Sequence, residues 1–190
     1  MSLSPWRSPL ARNIHLHRSQ PESRYVQLAT VTPRNLPTNR TVVFRGFTDE
    51  YNCLKFITDM RSQKVLDIRH NPHAEICWYF PKTREQFRIA GTLSLVDKSL
   101  TTHQKLREVT WRELSDNARI QFLWATPSEP TINSDTIEIA PPDPIVPLEN
   151  FGLLLLEPNR VDWLKLRGNP QSRILYTYQD QAWHTLAINP

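Results

Sequence analysis

The sequence predicts a mainly β fold with peripheral helices, a closed barrel built as one domain over residues 1–190. Seven to nine short runs of β-branched or apolar residues alternate with turn-forming residues, while helical periodicity is confined to a few short stretches. The chain contains no Gly-x-Gly-x-x-Gly, Walker loop or Gly-x-Ser-x-Gly elbow, so nothing favours a Rossmann, P-loop or hydrolase architecture. At 190 residues and 39% apolar composition the chain can bury one substantial core.

Taken in order, Ser4 and Pro5 have the look of an N-cap and a first helical residue. Trp6, Leu10 and Ile14 recur every four residues, which predicts a short amphipathic helix to about Ser19 within an N-terminal arm, 1–23. A strand is expected over 25–32, stopped by Pro33, then a turn over 33–37. A second strand over 39–47 and a third over 53–58 complete a meander. Ser62 is placed to cap a helix over 63–70 that Asn71-Pro72 ends. Residues 74–80 and 85–96 read as a hairpin, and 99–124 as helical with a break near Ser115-Asp116-Asn117. A proline-rich connection follows over 126–149, with Pro141-Pro142-Asp143-Pro144 inside it. Strands over 151–156, 160–166, 173–178 and 182–188 end the chain. With only four glycines, the corners must come from bulges or from residues such as Asn.

Two cysteines, Cys53 and Cys77, sit among apolar neighbours and read as buried thiols; no secretory leader pattern opens the chain, and a cytoplasmic location is expected. The longest apolar run, 152–156, is strand-sized, so no membrane association is expected. A formal charge of +4 suits an anionic ligand, and by sign alone it also suits nucleic acid. Trp78, Trp111, Trp124, Trp163 and Trp183 lie in apolar contexts and read as core or interface anchors rather than a stacking platform, which argues against nucleic acid. His70, His73, Cys53 and Cys77 lack the doublet spacing of zinc sites, and no metal is expected.

One constellation carries chemistry. In Arg40-Thr41-Val42-Val43-Phe44-Arg45, strand alternation sends Arg40, Val42 and Phe44 to one side and Thr41, Val43 and Arg45 to the other. A guanidinium at a strand end matches phosphate oxygens, although a solvated arginine is the commoner outcome. Thr58, Ser62, Gln63 and Lys64 bring hydroxyls, an ammonium and free amides to a helix N-terminus, the makings of an anion site or of ordinary capping. Were the neighbouring strands to bring them together, Arg40 and Lys64 would share one phosphate. Gln86, alternating with aromatic residues, could bond a ring edge.

Several motifs then line up in order. Leu28-Ala29-Thr30-Val31, Pro37-x-x-Arg40-Thr41-Val42-Val43-Phe44-Arg45, Phe56-Ile57-Thr58-Asp59, Ser62-Gln63-Lys64, Asn71-Pro72-x-Ala74, Glu85-Gln86-Phe87-Arg88-Ile89-x-Gly91 and the tail from Val161-Asp162-Trp163 to Pro190 resemble the pyridoxamine 5′-phosphate oxidase family. The resemblance implies an FMN-binding split barrel, with FMN between the subunits of a homodimer and residues 150–190 serving dimerisation. It implies that Arg40, Lys64, Thr58, Ser62 and Gln63 hold the FMN phosphate, that Thr41, Val42 and Val43 offer backbone groups to the flavin, and that Gln86 and a partner's Arg173 meet the ring. The redox chemistry would be the flavin's own.

The substrate half departs from the family. Arg45 stands at the strand lysine that touches substrate, Trp111 at a tyrosine, and Ser115 and Arg119 at the phosphate-binding arginine and serine. Asn169-Pro170-Gln171 replaces the Arg-Leu-His motif, and Leu164 takes the place of the tryptophan that meets the flavin, with Trp163 one position away. The expectation is an FMN-dependent oxidoreductase acting on a small molecule through an altered substrate site, with Arg45, Trp111 and Arg119 as candidate contacts. A non-catalytic flavin-binding module is the alternative.

Overall fold

The computed structural model describes residues 3–48, 52–130 and 139–190. Eight strands follow in chain order: β1 (Tyr25–Val31), β2 (Pro37–Val43), β3 (Leu54–Asp59), β4 (His73–Phe80), β5 (Glu85–Val96), β6 (Phe151–Lys165), β7 (Ser172–Gln179) and β8 (Ala182–Ile188). The helices are α1 (Arg7–Leu16), α2 (Gln63–His70), α3 (Gln104–Arg112) and α4 (Asp116–Ile120).

The strands form an antiparallel sheet in the order β2-β1-β4-β5-β6-β7-β8, with β3 on the N-terminal half of β6. Backbone bonds from Arg45 N to Lys55 O (2.8 Å), Lys55 N to Gly46 O (2.8 Å) and Thr48 N to Cys53 O (2.9 Å) tie the end of β2 to β3. Those bonds close a ring of six strands, β1 to β6, from which the β7–β8 hairpin splays. The mainly β barrel with peripheral helices is thus present.

One long strand, β6, replaces the two predicted over 151–156 and 160–166. Its N-terminal half pairs with β3 and its C-terminal half with β7, while β5 runs along both. Register passes from Ala90–Arg160 to Gly91–Pro158, so Asn159 is the extra residue of a bulge. Gly91 permits the approach: a Cβ there would fall on the Glu157 carbonyl and lie 2.9 Å from Pro158 Cα. Gly91→Ala is therefore expected to lower stability by about 3 kcal/mol, measured as a fall in the denaturant midpoint.

Residues 151–156 are apolar without alternation because both faces are buried. Leu154 and Leu156 join the barrel interior with Leu28, Phe56, Ile76, Trp78, Phe87 and Ile89. Phe151, Leu153 and Leu155 pack outward against Trp111, Leu114 and Phe122 of the helical segment.

The N-terminal arm docks through Glu85, which is buried. Its carboxylate accepts from Arg12 Nη2 (2.6 Å), Asn13 Nδ2 (2.9 Å) and Trp163 Nε1 (2.7 Å). The predicted Ser4 side-chain cap does not form; the Ser4 carbonyl accepts from Arg7 N, and the helix starts at Arg7. Among the tryptophans, Trp78, Trp111 and Trp163 are buried as expected, whereas Trp124 is 55% exposed. Corners do use non-glycine residues at positive φ, including Asn35, Asn52 and the Asp180–Gln181 pair that turns β7 into β8. Cys53 is buried, Cys77 half-buried, and neither forms a disulfide. Part of the proline-rich connection, 131–138, lies outside the described residues. Among the described residues no helix is long and apolar enough to cross a membrane, and no group of three or more His, Cys, Asp or Glu gathers to hold a metal.

Candidate functional site

The cationic cluster sits where β2, β1 and the start of α2 meet. Arg40 lies opposite Leu28 in the β1–β2 register, and its guanidinium folds back over β1. Nη1 donates to Thr30 Oγ1 (2.6 Å) and Leu28 O (3.3 Å); Nη2 donates to Thr38 Oγ1 and Asp67 Oδ2, both at 3.3 Å. Three of these four contacts are long, so a harder acceptor such as a phosphate oxygen could draw donors from them.

Strand β3 ends at Thr58 and Asp59, and the turn delivers Ser62 to the N-terminus of α2. Ser62 does not cap the helix with its side chain; its hydroxyl donates to Asp59 O (2.6 Å). That leaves the first amides of α2 without a side-chain cap and the positive end of the helix open to an anion. Lys64 Nζ donates to Ser62 Oγ (2.8 Å) and Thr58 Oγ1 (3.2 Å), gathering hydroxyls and ammonium, with one N–H still to give. Burial and then the nearby Arg40 charge hold the Lys64 ammonium below the ordinary lysine range, while Asp59 and Asp67 pull it back up. The Arg40 charge is thus close enough to disfavour the Lys64 ammonium, and both side chains lie by Asp67, which accepts from Arg40. Gln63 is exposed beside them, and Arg61 is committed elsewhere, paired with Asp59 (2.6 Å) and donating to Trp124 O (3.1 Å).

Sequence reasoning missed two members of this cluster. Asp67 is fully buried and Thr30 nearly so, and Thr30 Oγ1 donates to Asp67 Oδ2 (3.1 Å). The signal was present: Asp67 falls three residues after Lys64, on the same face of one helix.

The remaining sequence candidates lie elsewhere. Val42 is buried, Val43 half-buried and Thr41 exposed on the outer face of the barrel, so alternation along β2 holds. Gln86 is half-buried and pairs with Tyr79 and Leu164; Arg173 pairs with Leu164 in turn, so all three share an outer row across β5, β6 and β7. Three strand spacings, about 14 Å, separate β2 from β5, so one chain does not bring Gln86 to the cluster. Arg173 makes a bidentate pair with Asp162, at 2.9 and 2.7 Å. That pair holds the Asp162 carboxyl below its usual range, chiefly through the Arg173 hydrogen bonds. Leu164 faces outward, whereas Trp163 turns inward and stacks on Phe87 at 5.5 Å. The one-residue displacement did reverse the face.

Two substrate candidates require correction. Trp111 is completely buried, with Nε1 donating to Asp143 O (2.9 Å) and its ring packed on Phe151 and Phe122. Arg119 is buried too; it donates to Leu114 O and to Trp111 O (3.2 Å), and pairs with Asp116 (2.6 Å). It satisfies carbonyls at the C-terminal end of α3, where the helix leaves acceptors without partners. Neither side chain has surface to offer a substrate. Arg45 differs from both in being half-buried; its Nε, like that of Arg119, is buried without a partner, and burial followed by the Arg24 charge lowers its pKa.

Residues 3–97 match the family model for the FMN-binding domain of pyridoxamine 5′-phosphate oxidase. The chain belongs to the pyridoxamine 5′-phosphate oxidase FMN-binding domain family. The matched span includes all of the cationic cluster, Arg45 and Gln86. A pyridoxine/pyridoxamine 5′-phosphate oxidase 2 of Arabidopsis thaliana is 36% identical over 194 residues, covering 99% of this chain and 98% of that one. A crystal structure of a pyridoxamine 5′-phosphate oxidase-related, FMN-binding protein from Nostoc punctiforme is 54% identical, with a TM-score of 0.96 and full coverage of both chains. PhzG from Burkholderia lata, solved with tetrahydrophenazine-1-carboxylic acid, shares the fold at a TM-score of 0.80 and 17% identity, over 99% of this chain and 94% of that one. The split-barrel architecture of this family is therefore the fold of the chain.

Proposed function

We propose that the protein is an FMN-dependent oxidoreductase whose cofactor phosphate is held by Arg40 and Lys64, with Thr58 and Ser62, and whose substrate differs from pyridoxamine 5′-phosphate. The observation that carries the cofactor assignment is a helix N-terminus without a side-chain cap, where the Lys64 ammonium gathers the Thr58 and Ser62 hydroxyls and the Arg40 charge lies near enough to disfavour it. A dianionic phosphate supplies the negative charge that this cluster, compensated by Asp67 and Asp59, only partly has. Gln63 adds an amide at its rim.

In this reading the outer row of Gln86, Leu164 and Arg173, three strands away from the cluster, meets the ring end of the cofactor from a second copy of the chain. A homodimer with FMN at the subunit interface is the arrangement this reading takes. In it, the backbone of Thr41, Val42 and Val43 would border the ring from one subunit, and Gln86 and Arg173 from its partner. Bound flavin supplies the electron transfer; the chain binds and orients it, and no side chain here is placed as an acid or base. A protein with no nucleic-acid partner accords with the buried Trp78, Trp111 and Trp163, and a cytoplasmic location is part of the same reading.

The altered substrate half rests on Trp111 and Arg119 serving the core, which leaves Arg45 as the charged candidate from that set. The relative named as a pyridoxine/pyridoxamine 5′-phosphate oxidase favours a second reading, retained activity on that substrate. One assay separates them. The purified protein is expected to be yellow with a flavin absorption spectrum and to oxidise pyridoxamine 5′-phosphate slowly at most; robust turnover would establish the second reading. A flavin that binds but is neither reduced by nicotinamide donors nor reoxidised would point to a non-catalytic flavin-binding module.

A further inference from the structure

The carboxylate under the cationic cluster has no assigned role. Asp67 projects from α2 with its side chain wholly buried. Only one of its oxygens is engaged: Oδ2 accepts from Thr30 Oγ1 (3.1 Å) and Arg40 Nη2 (3.3 Å), while Oδ1 is buried without a partner. Thr30 Oγ1 also accepts from Arg40 Nη1 at 2.6 Å. The three residues therefore close a small ring in which hydroxyl and carboxylate meet the two terminal nitrogens of the same guanidinium. A buried carboxylate with one oxygen left bare is costly, and a hydrophobic side chain would pack there more cheaply if the position served stability alone. The charge is placed where it fixes the direction of Arg40 and lies near the ammonium of Lys64.

We propose that Asp67 is a positioning residue of the phosphate cluster, locking the Arg40 guanidinium against β1 through Thr30 so that it shares one site with Lys64. This inference rests on the reading of that cluster as the FMN phosphate site. Without the carboxylate, two neighbouring cations in a half-buried site repel, Arg40 Nη2 loses its charged acceptor, and the Thr30 hydroxyl that Arg40 Nη1 meets at 2.6 Å loses the acceptor that orients it. The selectivity that suffers is for a phosphorylated flavin over the same ring without phosphate.

The test is a titration of flavin-stripped full-length protein with FMN and, separately, with riboflavin, followed by flavin fluorescence. Asp67→Asn keeps the shape and removes the charge; Thr30→Val keeps the shape and removes the bridge. Each is expected to weaken FMN binding about tenfold and to leave riboflavin binding unchanged, so that the FMN-over-riboflavin preference falls by the same factor. Equal weakening of both ligands would show a merely structural role and overturn the proposal, as would unchanged or tighter FMN binding. Lys64→Met serves as the control for the underlying reading. If it leaves the preference intact, the cluster is not the phosphate site. If it lowers the preference and Asp67→Asn does not, the phosphate site stands and only the positioning role fails.

Discussion

Lys64→Met is expected to release FMN without harming the apoprotein. A hydrogen bond to a charged group contributes about 1.5–3 kcal/mol, so losing the ammonium should weaken FMN roughly ten- to a hundredfold. Stability should move the other way. Burial and the Arg40 charge depress the Lys64 pKa in the folded chain, so the protonated form is disfavoured by folding. That penalty is fully present below the depressed pKa and disappears as pH rises through the unfolded value. At neutral pH the uncharged, similarly long methionine removes the penalty, and thermal denaturation of the flavin-free variant should show a midpoint equal to or above the parent's. The same sign predicts that FMN affinity falls on the alkaline side at lower pH than an ordinary lysine would give, because the neutral amine no longer holds the phosphate. Arg40→Ala is the poorer probe: it strands the buried Asp67 carboxylate, and removing one member of a buried pair is strongly destabilising. Unchanged FMN retention in Lys64→Met would remove the phosphate assignment.

Trp111→Ala is expected to produce the largest loss of stability. The side chain is completely inaccessible, makes edge contacts to Phe151 (4.9 Å between ring centres) and Phe122 (5.8 Å), and anchors the segment around Asp143 by a hydrogen bond. Replacing a buried tryptophan by alanine costs about 3–5 kcal/mol, which for a chain of this size lowers the melting temperature by about 10 °C. Trp124→Ala, at a residue 55% exposed, should leave the midpoint nearly unchanged. Calorimetry on the pair checks both. If Trp111→Ala melted with the parent while altering substrate KM, the residue would be a substrate contact after all.

Much of the architecture could be read from local pattern. Alternation located β1, β4, β5, β7 and β8 to within two residues, and Asn71-Pro72 marked the end of α2 as predicted. The misreadings have physical causes. Pro158-Asn159 looked like a break, yet the long strand β6 runs through it because Gly91 on β5 lets the bulge pack. Ser62 looked like a cap, but its hydroxyl found Asp59 O, a partner brought close by the turn after β3.

The candidate site divides in the same way. Which residue types could meet a phosphate, and which strand faces carry Arg40 and Thr41, follow from the chain alone, because period-two alternation and helix-end chemistry are local. Whether Trp111 and Arg119 face a ligand or the interior, and that a buried Asp67 accepts from Arg40 and acts on the Lys64 charge, were decided only by tertiary structure. Those outcomes depend on contacts between residues tens of positions apart, where burial and competition for hydrogen-bond partners, rather than local preference, settle what each side chain does.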